Sequence, residues 1–515
     1  MRKPIPFPVL VGAAEMRQLE ERAFAAGFSA EALMDEAARG MAAVLEENFP
    51  VAGTAVVFVG KGHNGGDALE LARLMAGMGW RLEVRLVWPK EDLRPLTLRK
   101  YEALGGGNSC VEAGSLEVPS GRPLLLIDGI LGTGVGGALQ GNAADAVRTL
   151  NALRDQEQAF TVAIDLPSGL GGGSADLGVT ADLTLSLGWP KDFLFSDGAA
   201  AFVGQLRQVP LKDLEFPDGW EKRDVLVTME GLRSRLPGRP AFSRHKGDSG
   251  RVGILAGSTG LAGAARLTAT AAAQMGGGLV TLFCPAEVYA VLAASCPPEV
   301  MVRPVRSCLE VMDFPLDSLG VGPGMGPSPL PCLADLLMND PRPMVMDADA
   351  LNQLATLPAW SAGTVRFGGP RLLTPHPGEL ARLTGSWKPD LQSAGRRVQA
   401  QAMGDQFGVT VLAKSARSFV VEPGRPAAWN GSGHPLMARG GMGDGLTGIL
   451  SVFAAQGWNL YEAAAMGSWL MGRGAEWYHR LTGWEEPGLA SEVILLAAGK
   501  AMAELRAGQC LPSPE

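Results

Sequence analysis

Asp444 is the one carboxylate in a glycine-dense run, Asn430 to Gly448, whose centre reads Arg439-Gly440-Gly441-Met442-Gly443-Asp444-Gly445. Glycines 440, 441 and 443 let bare backbone N–H groups converge on one point. The apolar run Leu446 to Ala455 predicts a helix whose positive end faces that point, which makes an anion hole suited to phosphate. A fixed negative charge there is unfavourable unless it does chemistry, such as taking a proton from a hydroxyl about to attack phosphorus. The competing reading is that Asp444 only caps the helix.

A second constellation lies in the first half of the chain. The β-branched run Thr54 to Val59 reads as a buried strand, followed by Gly60-Lys61-Gly62-His63-Asn64-Gly65-Gly66-Asp67 and a helical pattern from Ala68 to Met78. Gly60, Gly62 and Gly65 fit G-x-G-x-x-G in a strand-to-helix context, a weak signal alone. Asp67 would repel a pyrophosphate at the helix start, and oxygens from Asn64 and Asp67 suit a cation or ligand hydroxyls instead. Two further apolar runs end alike, Leu124 to Asp128 before Gly129-Ile130-Leu131-Gly132-Thr133-Gly134, and Thr161 to Asp165 before Leu166-Pro167-Ser168-Gly169. Together they put Asn64, Asp128, Asp165 and Ser168 at the carboxyl edge of one parallel sheet, where open α/β sheets bind ligands.

The elements that must position these residues alternate strand and helix throughout, the rhythm of doubly wound sheets. Leu183 to Leu187 reads as the strand closing the first unit, with Lys191 just beyond; residues 211–245, charged and proline-bearing, read as a linker. In the second half, strands end in Gly322-Pro323-Gly324, in Asp347 and Asp349, in His376 between Pro375 and Pro377, and in Lys414. A histidine locked by two prolines at a sheet edge reads as a ligand contact. His479 and the stripe Met466, Trp469, Leu470 and Trp477 read as packing. No G-x-x-x-x-G-K-[ST] is present, which excludes a P-loop ATPase at the motif level.

With 515 residues the chain is too long for one core, and 46% hydrophobic with 19% charged residues is a well-buried composition. Its 69 glycines cluster between β-rich runs, as ligand-binding turns do. A net charge of −8 argues against a nucleic-acid or anionic-membrane partner. The cysteines at 110, 284, 296, 308, 332 and 510 form no C-x-x-C pair and read as unpaired thiols in a reducing compartment. Prolines at 4, 6 and 8 argue against a signal peptide, and the uncharged run Leu267 to Phe283 is interrupted by glycines, so a cytoplasmic protein is expected.

Taken together, these motifs resemble the bifunctional NAD(P)H-hydrate repair enzymes over nearly the whole chain. HKGDSGRV, GSTGLAGAARL, GVGPGMG, DADALN, LTPHPGE and GMGDGLTG stand in that family's order, and GKGHNGGD, DGILGTG and DLPSG are similar to its epimerase signatures. The resemblance implies an epimerase domain of Rossmann-like three-layer fold at 1–222 and an ADP-dependent dehydratase domain of ribokinase-like fold at 223–515. It also implies contacts to the hydrated nicotinamide from His63, Asn64, Gly65, Gly66, Asp67, Gly132, Thr133, Gly134, Val135 and Asp165. Asn64, Asp128 and Ser168 would hold potassium, with Asp128 also a catalytic carboxylate. In the second domain Ala264, Gly324, His376 and Asp444 would face the hydrate, with Asp444 the catalytic base. Lys414, Ser415, Ala416, Arg417, Ser418 and Gly443 would bind the AMP part of the nucleotide. ADP as co-substrate, Mg²⁺ and a homo-oligomer are expected with it.

The chain departs from the family pattern at His63, Ala68, Glu36 and Ala38 in the first half, and at Ser415, Arg439 and Met442 in the second. The alternative reading is a ribokinase-like hydroxyl kinase fused to a non-catalytic binding or scaffold domain. It shares Asp444 but gives no reason for the oxygen-rich constellation of the first half.

Overall fold

The computed structural model describes residues 7–105, 115, 117, 118, 120–134, 137–171, 176–238, 241–327, 331–483 and 491–508. The chain divides into two compact units, Pro8–Leu226 and a second comprising Phe7 and the chain from Val227.

The first unit is built on six parallel strands: β1 Thr54–Val59, β2 Arg81–Leu86, β3 Leu124–Gly129, β4 Phe160–Ile164, β5 Leu183–Leu187 and β6 Gln205–Val209. Their order is β2-β1-β3-β4-β5-β6, so the direction of winding reverses between β1 and β3. Side chains alternate across the sheet. Val57 and Val59 pack with Met41 and Leu69 of the helices Ala30–Asn48 and His63–Gly77, whereas Val56 and Phe58 pack with Val147 and Leu150 of the helix Gly141–Glu157. Both faces are therefore covered, giving three layers. The sheet does not close at β5 as expected. Gln205-Leu206-Arg207-Gln208-Val209 buries only Leu206 and Val209 fully, so it lacks the continuous apolar run of an inner strand.

The second sheet has ten strands, β7 Val225–Val227, β8 Arg251–Leu255, β9 Leu279–Pro285, β10 Val300–Val305, β11 Ser318–Val321, β12 Met344–Met346, β13 Arg371–Leu373, β14 Thr410–Ala413, β15 Phe419–Val421 and β16 Ala428–Asn430. The order is β10-β9-β8-β11-β12-β13-β14-β15-β16-β7. Strands β8 to β14 are parallel, and β15 and β16 form an antiparallel hairpin beside β14. Here winding reverses between β8 and β11. The stretch read as a linker holds β7 and a short helix, Met229–Arg233. Val252 and Ile254 pack against Ala265 and Ala269 of the helix Ala262–Gln274. That helix meets the helix Met442–Ala455 so closely that a Cβ on Gly448 would lie 2.2 Å from the Thr268 carbonyl oxygen.

The expectation of unpaired thiols fails for two cysteines. Cys308 and Cys332, with Cα atoms 5.9 Å apart, form a disulfide. Their separation of 24 residues carries no motif, and only the docking of residues 308–313 on the helix Pro331–Asn339 brings them together. Cys284 and Cys296 are free, and Cys110 and Cys510 lie outside the described residues. Among the described residues, no helix is long and apolar enough to cross a membrane.

Candidate active sites

At the carboxyl edge of the first sheet the helix begins at His63, five residues before the expected Ala68. Glycine's poor helix propensity points a sequence reading to a turn, but close packing requires glycine here. A Cβ on Gly65 would lie 1.9 Å from the Gly60 carbonyl oxygen, and one on Gly60 would lie 1.8 Å from that of Ile130. His63 to Asp67 thus form the first turns of a helix capped by Gly62.

Asp128 is fully buried at the end of β3. Its Oδ1 accepts from the Ile130 N–H at 3.1 Å and the Ser168 hydroxyl at 2.6 Å, and its Oδ2 accepts from the Ser168 N–H at 2.7 Å. Burial pushes the carboxyl up to about 6 against these hydrogen bonds. The buried Asn64 amide donates to the Leu131 carbonyl at 3.1 Å, and the Leu131 N–H donates to Ser168 Oγ at 2.9 Å. Three of the expected residues, Asn64, Asp128 and Ser168, are therefore knotted around one loop. Gly132 packs on the Asn64 side chain, and Arg17 donates to the Thr133 carbonyl at 2.8 Å. Gly134 is exposed, and Val135 lies outside the described residues.

Asp165 follows β4 with φ at +66°, a left-handed conformation that side chains seldom adopt. Its Oδ1 takes the Leu187 N–H at 3.2 Å and an ion pair from Lys191, whose ammonium also donates to the Leu187 carbonyl at 2.7 Å. Asp67 has no side-chain hydrogen bond among the described residues. Burial, then the charges of Asp165 and Glu20, push its carboxyl well above the usual range, with Lys191 and Lys100 opposing.

In the second unit the site spans the carboxyl ends of β11 to β14 and the glycine loop. The helix starts at Met442, four residues earlier than the apolar pattern indicated, with Gly441 as its N-cap at φ +89°. Asp444 therefore sits in the first turn. Among the described residues its side chain makes no hydrogen bond, and the first intrahelical bond runs from the Gly445 N–H to the Gly441 carbonyl at 3.0 Å. Burial, then the charge of Asp347, pushes its carboxyl up to about 6; Asp349 and Glu379 add to the shift and Lys414 opposes it.

Asp347, at the end of β12, is 2% exposed and accepts from the Lys414 ammonium at 2.5 Å and the Thr447 hydroxyl at 3.0 Å. Burial would raise its carboxyl, but Lys414, Thr374 and Thr447 hold it below the usual range. Lys414 is in turn beside Gly443: a Cβ there would lie 3.1 Å from the ammonium. Gly324, at φ +62°, packs on Ala264, where a Cβ would come within 3.0 Å of the alanine methyl. Ser415 and Ser418 hydrogen-bond within the Ser415–Ser418 turn, the Arg417 N–H donating to Ser415 Oγ at 3.0 Å, while Ala416 is exposed. Burial lowers the Arg417 guanidinium to about 10. His376 does structural work as well. Its Nδ1 accepts from the Gly378 N–H at 3.0 Å and Glu379 accepts from the His376 N–H at 2.8 Å, a capping box on the helix Pro377–Trp387 that leaves most of the ring exposed.

Comparison with known proteins bears on both sites. Residues 252–492 match the NAD(P)H-hydrate dehydratase family model, and residues 30–193 match that of the YjeF-related protein N-terminus. The bifunctional NAD(P)H-hydrate repair enzyme of Moorella thermoacetica is 34% identical over 498 residues, which cover 90% of this chain and 91% of that one. The chain belongs to the bifunctional NAD(P)H-hydrate repair enzyme family. The member from Escherichia coli is 32% identical over 488 residues, covering 92% of this chain and 91% of its own. Among solved structures, the ADP/ATP-dependent NAD(P)H-hydrate dehydratase of Bacillus subtilis is 25% identical with a TM-score of 0.47, over 54% of this chain and 98% of that one.

Within this repair-enzyme chain, sequence reading passed over Lys191, Glu20, Thr447 and Glu379 as site residues and gave Asp347 no role. Lys191, Glu20 and Thr447 lie far in sequence from the carboxylates they face, whereas Glu379 is three residues from His376, its hydrogen-bond partner. Asp347 and Lys414 are 67 positions apart. The one available signal was that Lys191 and Asp347 follow strand ends in the same way as the residues that were chosen.

Proposed function

We propose that the chain repairs hydrated NADH and NADPH, the first unit exchanging the R and S hydrates and the second dehydrating the S form with ADP, giving AMP and phosphate. The observation that carries this reading is Asp444, which lies in the first turn of a glycine-capped helix, its side chain without a hydrogen bond among the described residues and its carboxyl pushed up to about 6. A capping aspartate would spend its oxygens on backbone N–H groups; this one is left to accept a proton. The hydrate carries a hydroxyl at C6 of its reduced ring. Asp444 takes that proton, the oxygen attacks the terminal phosphorus of ADP, and AMP departs. Phosphate then leaves C6, assisted by the ring nitrogen's lone pair, and loss of the C5 proton restores the double bond.

Ala264, Gly324 and His376 line the hydrate side, and the turn Ser415–Ser418 with the buried Arg417 serves the nucleoside side. Among the described residues no cluster of three or more acidic, histidine or cysteine side chains forms a metal cage. Mg²⁺, which would neutralise phosphate charge, is accordingly expected on the nucleotide's phosphates and water. In the first unit, Asn64, Asp128 and Ser168 bring oxygens with a single formal negative charge to the Leu131 loop. That set fits potassium, which would fix the loop against the hydrate held by residues 63–67, Gly132, Thr133 and Asp165.

The test follows absorbance of reduced nicotinamide regenerated from mixed R and S NADH hydrate with ADP, Mg²⁺ and K⁺. Full recovery, faster than spontaneous R/S exchange, is expected. Recovery stalling at the S fraction would remove the epimerase assignment, and no recovery with ADP or ATP would leave the hydroxyl-kinase alternative.

A further inference from the structure

The residues around Lys414 divide the nucleotide site differently from the resemblance, which groups its side chain with the AMP contacts. Its backbone is fixed where β14 ends, the Lys414 N–H donating to the Pro375 carbonyl at 2.9 Å. Its side chain reaches Asp347, the ammonium donating at 2.5 Å. There the ammonium borders Gly443, the second residue of the helix that carries Asp444, at the 3.1 Å that a Cβ on Gly443 would leave. Thr447, one turn further along that helix, closes the arrangement, its hydroxyl 3.0 Å from Asp347 Oδ2 and 3.1 Å from the Gly443 carbonyl. Asp347 and Thr447 are buried, so the anchor is shielded from water.

A lysine ammonium has three donors, and among the described residues the Lys414 ammonium gives one, to Asp347. Its place beside Gly443 sets the ammonium against the first turn of the helix that carries Asp444, whose carboxyl its charge lowers. We infer that Lys414 is the cation that neutralises the phosphoryl group during its transfer, and that Asp347 and Thr447 are the residues that position it. This rests on the dehydratase reading of the second unit.

The step balances with these groups alone. The C6 hydroxyl proton passes to Asp444, its oxygen bonds the β-phosphorus, and the bond from that phosphorus to AMP breaks with its electron pair left on AMP. Lys414 keeps its protons and offsets charge on the non-bridging oxygens, where a preset cation is worth most. Asp347 removes the freedom that a four-carbon stem would otherwise spend on reaching that position.

The experiment uses the full chain with S-NADH hydrate, ADP and Mg²⁺, and a calorimetric titration with AMP. Lys414→Met is expected to lower kcat by ~10²–10³-fold while leaving AMP affinity within about twofold of wild type. Asp347→Asn, which keeps the shape and a bond to Thr447, is expected to lower kcat by about 10-fold or more with little change in KM for ADP, and Thr447→Val less. Should Lys414→Met not fold, Asp347→Asn decides by the same two readings. AMP affinity lost by 10-fold or more with kcat retained would return Lys414 to the AMP part and overturn the inference. A wild-type chain that regenerates no NADH removes the dehydratase reading itself; an active wild type with undiminished variants removes only the role of Lys414.

Discussion

Asp128 in the first unit and Asp444 in the second stand at equivalent places, the carboxyl edge of a parallel sheet, and burial pushes both up to about 6. Their surroundings differ. Asp128 has three donors on its two oxygens and no charged neighbour contributing to its shift. Among the described residues the Asp444 side chain has no hydrogen bond, and its neighbours are charges, three carboxylates and one ammonium. The first is bound into the loop it organises, while the second is kept available. A raised carboxyl therefore does not identify a base; whether its oxygens are already committed does.

The largest effect expected from breaking this contrast is at the uncommitted carboxylate. Asp444→Asn should lower the dehydration kcat by ~10²–10⁴-fold, the range of a lost general base, without lowering the melting temperature. Steady-state kinetics and calorimetry on one preparation check both halves. At the committed carboxylate the balance reverses. Asp128→Ala leaves the N–H groups of Ile130 and Ser168 and the Ser168 hydroxyl without their acceptor, which should cost about 3 kcal/mol in denaturant unfolding and abolish R/S exchange. Unchanged stability would mean that the three donors find other partners.

That difference of commitment was not legible in the sequence, although most of the scaffold was. Strands such as Thr54–Val59 and Leu124–Gly129 are continuous apolar runs because both faces of the sheet are covered, and they fixed which residues reach the edge. The strand Gln205–Val209 was missed because its polar side chains interrupt that run. Helix starts were placed late at His63 and Met442 for one reason, that glycines admitted for close approach look like turn residues. Asp347 with Lys414 joins the ends of β12 and β14 across the intervening β13, and Asp165 with Lys191 joins the ends of the neighbouring β4 and β5, and no spacing rule reaches either pair.

The pH dependence sharpens the comparison by about one decade of rate for each pH unit. With Asp444 at about 6 in the free enzyme, kcat/KM for dehydration should fall below that pH as the base becomes protonated. Asp347→Asn removes a negative neighbour that raises Asp444, so this limb should move to lower pH; a limb that stays in place would deny the coupling. Asp128 acts on stability instead. Its folded pKa of about 6 lies above the unfolded 3.8, so its contribution is fully present below 3.8 and is lost as pH rises through about 6. Wild-type stability from this group should therefore decline over that interval, as measured by urea unfolding at successive pH values.

The smallest effect concerns Ser415, where the family pattern has glycine. Its hydroxyl accepts from the Arg417 N–H at 3.0 Å and lies 2.9 Å from the Arg417 carbonyl, closing the turn between β14 and β15 from within. Ser415→Gly should lose about 1–2 kcal/mol in the second unit, since both bonds of the hydroxyl go and the unfolded chain gains freedom. KM for ADP should rise by a few-fold with kcat unchanged, because the turn serves ground-state binding and touches none of the reacting atoms. The same variant separates the two halves of the nucleotide site: a fall in kcat comparable with that of Lys414→Met would mean that the turn and the ammonium act on the same phosphate.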